Sequence, residues 1–162
     1  MIKVLASKIN MRGSTSAFTL AELMVVVAII SVLAASILPV ARIAIKRAKE
    51  VELRENLRII RRAIDEHKKM VDLGQITAEF GSEGYPPDLQ VLVEGVEEVG
   101  KLDVMKKFLR RIPRDPMTNS TDWEMRSYQD DFDSTSWGGE NVFDVYSKSE
   151  GIALDGTKYK DW

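Results

Sequence analysis

The amino-acid sequence predicts an α+β fold, a long N-terminal helix followed by a small head with a short antiparallel sheet. Three observations carry that reading. From Phe18 to Ala41 the chain runs 24 residues interrupted only by Thr19, Glu22, Ser31, Ser36 and Pro39. Leu53, Leu57, Ile60, Ile64 and Val71 then recur at helical steps among charged residues, the stripe of a helix with one buried face. Beyond Gly74 the chain fills with Gly, Pro, Asp and Ser that cut it into short pieces.

The first element is apolar enough for a bilayer. As a helix, 24 residues reach about 36 Å, against a hydrocarbon core of about 30 Å. Ahead of it, residues 1–17 carry Lys3, Lys8 and Arg12, no acid, and the small polar stretch Gly13-Ser14-Thr15-Ser16-Ala17. A secretory signal places its small residues after the apolar core; here they come before it. A cut between Ala17 and Phe18 removes the basic leader, keeps the helix and creates an amine on Phe18. Glu22, one turn further, is an acid where an unpaired charge costs roughly 2.5–3.5 kcal/mol at a bilayer centre. That cost favours a counter-charge, for which the Phe18 amine of a neighbouring, axially shifted helix is a candidate; the alternative is a Glu22 solvated near the headgroups. Pro39 removes one backbone donor and weakens the turn, enough for a simple kink, or for the hinge that the family resemblance described below implies; the Ser36 hydroxyl is placed to compensate the freed carbonyl.

Residues 42–74 are expected to continue the helix as an amphipathic stem, with Glu50–Arg54 and Asp65–Lys69 as supporting i, i+4 pairs and Gly74 as its stop. His67, the sole histidine, falls on the stripe and reads as a half-buried packing residue. The head follows over 75–162. Gly81 to Asp88 is a loop, and Pro87-Asp88 opens a helix through Leu89, Leu92 and Val93 to Gly95. A second helix is expected from Val99 to Arg111 on Leu102, Met105, Phe108 and Leu109, ended by Ile112-Pro113-Arg114-Asp115-Pro116. Trp123–Tyr128 and Val142–Tyr146 read as two antiparallel strands.

Composition limits what such a chain can do. With 162 residues there is room for one modest core besides the anchor. There is no cysteine, so the head depends on packing or a bound ion. One histidine, no cysteine and no phosphate-cradling glycine loop leave little from which to build a catalyst, and the chain reads as a non-enzyme. The formal net charge is −2, or −5 without the leader. Arg42–Asp72 carries +4, whereas Leu73–Leu109 and Arg110–Trp162 carry −4 each. This basic stem and acidic head fit three readings: a solvated face, contact with anionic lipid, or attraction between neighbouring subunits.

The order leader, small residue, Phe18-Thr19-Leu20-Ala21-Glu22, apolar helix and Pro39 resembles the class III signal of type IV pilins and type II secretion pseudopilins, with Ala17 where that family has glycine. Gly84-Tyr85-Pro86, Ile112 to Pro116, Phe143-Asp144-Val145-Tyr146-Ser147 and Asp161-Trp162 extend the resemblance to the major pseudopilin of type II secretion. The missing disulfide loop also sets the chain apart from most type IV pilins.

The resemblance implies a pilin-like fold, removal of residues 1–17 by a prepilin peptidase, N-methylation of Phe18, and subunit assembly through Phe18 and Glu22. It implies a single-pass inner-membrane protein with a periplasmic head, surrounded by lipid before assembly. Its implied partners are copies of itself in a helical filament, minor pseudopilins, and an inner-membrane platform with its ATPase; no nucleic acid is expected. In that family calcium is held after the strand corresponding to Phe143–Ser147. The corresponding residues here are Ser147, Glu150, Asp155 and Asp161, with Thr157 and Lys158 near where paired acids occur. Calcium ligation and a solvated acidic loop are the alternatives. Type IV pilin and plain signal-anchor readings stand beside the secretion reading.

Overall fold

The computed structural model describes residues 18–101, 104–131, 133–134 and 136–162; residues 1–17, expected to form a leader, lie outside that set. Helix α1 runs Leu20–Asp72. Its start is set by Thr19, whose hydroxyl accepts the Glu22 N–H at 3.2 Å while its carbonyl accepts from Leu23. Thr19 is thus an N-cap, with Glu22 at the third helical position, the Thr-x-x-Glu pattern of a capping box. At the other end Gly74 adopts φ +67, the Gln75 N–H reaches Met70 O at 2.9 Å, and the Gly74 N–H reaches Val71 O at 2.8 Å. These are the two bonds of a Schellman stop, and only glycine enters that backbone region without strain.

The chain divides into two units at Arg42/Ile43. In the first, α1 is helical through Pro39, and Ser31 returns its hydroxyl to Val27 O at 2.7 Å. The Ser36 side chain lies outside the described side chains. The helix is long and apolar enough to cross a membrane.

In the second unit, Leu53, Leu57, Ile60, Ala63 and Ile64 of α1 are buried against Leu89 and Leu92 of α2, together with Leu109, Trp123, Val142, Val145, Ala153 and Tyr159. Burial of each large aliphatic side chain contributes about 1.5–3 kcal/mol. Helix α2 spans Leu89–Glu94; Asp88 caps it, accepting the Val91 N–H at 2.9 Å. Strands β1 (Val96–Glu97) and β2 (Met105–Lys106) pair antiparallel. Strands β3 (Glu124–Arg126) and β4 (Asp144–Tyr146) form a second antiparallel pair in the register Glu124↔Tyr146, Met125↔Val145 and Arg126↔Asp144. A 3₁₀ turn closes the chain at Tyr159–Asp161.

Two expectations fail. The helix expected over 99–111 is a hairpin and extended chain. Gly95 at φ +95 comes so close to β2 that a Cβ there would lie 2.8 Å from Lys106 O, Gly100 turns at φ +80, and Phe108 and Leu109 both donate to Leu92 O. Of the expected helix, Leu102 falls outside the described residues. The i, i+4 pairs also differ. Glu50 and Arg54 each bond to the C-terminal segment instead of to each other, and the pair at the end of α1 is Lys68–Asp72 in place of Asp65–Lys69.

Candidate functional site

Two places carry the residues singled out from the sequence. At the start of α1, Phe18 is exposed and Glu22 sits in the first turn, its backbone held by Thr19. Ala17, and with it the expected cleavage bond, lies outside the described residues. The aliphatic residues from Leu23 to Val40 present more than two-fifths of their surface. Pro39 lies within α1.

The second place is the surface after β4. A cleft of about 650 Å³ is lined by Ser147, Glu150 and Asp161, but also by Arg126, Lys148 and Lys160. Ser147 is fully buried; its hydroxyl donates to Asp115 Oδ2 at 2.6 Å and accepts from the Ser149 N–H. Asp115, equally buried, also accepts the Met117 N–H at 2.7 Å. This buried bond ties the loop before β3 to the end of β4, and unmaking it costs about 1–3 kcal/mol. In the same cleft Arg126 stacks over Tyr146 at 5.2 Å, and its buried Nε has no hydrogen-bond partner among the described residues.

The acids do not fit the calcium set implied by the resemblance. Asp155 is not among the residues lining that cleft; it lies with Arg47, Glu50 and Arg54 in another. There it accepts from Thr157 through both backbone and hydroxyl and pairs with Arg54 at 3.1 Å. The Thr157 bonds foremost, with Arg54 assisting, hold its carboxyl below the usual carboxylate range. Ser147 already spends its hydroxyl on Asp115. Among the described residues, no three acidic or imidazole side chains come close enough to share an ion, whereas calcium asks for six to eight oxygens.

His67 is buried more deeply than expected. Its Nδ1 meets Gly84 O at 3.1 Å; a carbonyl only accepts, so Nδ1 carries the hydrogen. The ring packs on Phe108 at 5.3 Å. Burial lowers its pKa, outweighing the Gly84 bond and the charge of Glu79.

The sequence reading missed Glu50 as an anchor. It is buried and accepts the Leu154 N–H at 2.8 Å and the Tyr159 hydroxyl at 3.0 Å. Burial first, then this bond to Glu50, pushes the Tyr159 pKa up to about 12. Its only sequence signal was position: three residues before Leu53, Glu50 falls on the buried stripe.

The family model described as the prokaryotic N-terminal methylation motif matches residues 12–38, which take in the end of the leader, Phe18, Glu22 and most of the apolar run. No curated protein and no solved structure matches the chain. The matched motif, leading a helix able to cross a membrane, supports a place among pilin-like subunits anchored by the N-terminus. It points to a structural chain, processed by a prepilin peptidase and built into a filament, in preference to an enzyme.

Proposed function

We propose that the protein is a subunit, of the major pseudopilin type, of the short periplasmic filament of a type II secretion system. The observation that carries this reading is the methylation motif at 12–38 joined to a small head without cysteine. The head is closed by the buried Asp115–Ser147 bond and by Tyr159 and Trp162, not by a disulfide.

In this reading residues 1–17 are removed in the inner membrane and Phe18 is methylated on its new amine. The helix then waits in lipid until an ATPase, working through a membrane platform, adds the subunit beneath its predecessors. Glu22 of the incoming subunit meets the Phe18 amine of its neighbour, Pro39 loosens as the helix leaves the bilayer, and minor pseudopilins are among the partners in the filament. The growing filament drives folded proteins through the outer membrane.

A type IV pilin for adhesion, motility or DNA uptake shares the same N-terminal motif and is the second reading. Deletion of the gene separates them. Loss of proteins from the culture supernatant with surface pili intact supports secretion; loss of pili with normal supernatant proteins gives the pilin reading.

A further inference from the structure

We infer that in this head direct bonds to α1 replace the calcium ion expected after β4, so that the C-terminal segment 152–162 is locked to the helix without metal. Four side chains of α1 hold it. Lys46 donates to Ile152 O at 2.6 Å. Glu50 accepts from Leu154 and Tyr159, two donors that offset the cost of burying its carboxylate. Arg54 pairs with Asp155 at 3.1 Å and lies 4.1 Å over the ring of Trp162. Arg61 reaches Trp162 O at 2.6 Å and Val145 O at 3.1 Å, and pairs with Asp144 at 2.6 Å.

The segment also braces itself. Trp162 donates from its indole to the Thr157 hydroxyl at 2.6 Å, and Thr157 in turn donates to Asp155. Trp162 packs edge-on against Tyr159 at 5.2 Å. Asp155, the acid a cation would need, therefore has its charge matched by Arg54 and one oxygen occupied by Thr157. Thr157 and Lys158 supply no carboxylate beside Asp155, and Thr157 is the residue that joins Asp155 to Trp162. A planar guanidinium is the group able to pair with a carboxylate and stack on an indole at once.

The test is thermal unfolding of the full chain in detergent micelles, followed by near-UV circular dichroism, in a calcium chelator and in millimolar calcium, with calorimetric titration of calcium alone. The wild-type Tm is expected to be the same in both, with no binding heat. Arg54→Ala is expected to lower Tm by roughly 2–6 °C in both solutions, and Arg54→Lys to restore only part of it, because the charge returns without the stacking. A wild-type Tm raised by calcium, a binding heat, or an Arg54→Ala Tm equal to wild type overturns the inference. Should Arg54→Ala fail to fold, the wild-type comparison with and without calcium still decides.

Discussion

Two sets of aliphatic residues on α1 are alike in type and opposite in surroundings. Ile29, Leu33 and Ile37 each leave more than half of their surface uncovered, whereas Leu53, Ile60 and Ile64 are fully buried. Both are aliphatic and both are helical, so propensity does not separate them. The difference lies in what stands between the aliphatic residues. Charged residues fill the spaces from Arg42 onward and leave one apolar stripe, which α2, Trp123 and β4 cover. In the first half the apolar surface runs all round. A helix apolar on every side needs an apolar environment outside its own chain, in the proposed reading lipid and then the neighbouring helices of the filament. One half of α1 is thus built for the fold and the other for partners.

The contrast is sharpest where a single change removes function on one side and stability on the other. Glu22→Ala is expected to abolish filaments while membrane insertion and head folding stay normal, measured by filament yield after membrane fractionation; normal filament yield contradicts the pairing of Glu22 with a neighbour's amine. Next, Ile60→Ala is expected to cost the head about 2–5 kcal/mol by opening a cavity, whereas Ile29→Ala leaves its unfolding unchanged. Equal losses in urea titrations followed by tryptophan fluorescence would erase the distinction between the halves. Asp115→Ala, which strands the Ser147 hydroxyl and the Met117 N–H, is expected to cost about 1–3 kcal/mol in the same titration.

The smallest effect is a pH dependence. His67 has a folded pKa below its ordinary value of about 6.5, so folding favours the neutral ring. Stability from this group is fully present above about pH 6.5 and declines as the pH falls through the unfolded value toward the folded one. Unfolding titrations between about pH 7 and about pH 5 are expected to show that decline, and His67→Phe to flatten it; an unchanged slope in His67→Phe contradicts the assignment.

Local rules made much of this legible in the sequence. The stripe from Leu53 to Ile64, the Gly74 stop and the Asp88 cap all rest on residues close to one another in the chain. The N-cap at Thr19 is legible too, as Thr-x-x-Glu. The failures come from partners distant in sequence. Leu102, Met105, Phe108 and Leu109 have helical spacing, yet Gly95, Gly100 and the bonds to Leu92 impose a hairpin and extended chain. Glu50 and Arg54 are spaced to pair with each other, yet Tyr159, Asp155 and Trp162, about a hundred residues away, bind them instead. The Ser147–Asp115 bond joins residues 32 positions apart, beyond the reach of any local pattern.

The account turns on the motif at 12–38 being a processed assembly device and not an anchor carrying one misplaced acid. Amino-terminal sequencing and intact mass of the protein extracted from membranes test that most directly. The predicted result is a chain that begins at Phe18 and carries one added methyl group on its amine; a chain that begins at Met1 contradicts the account.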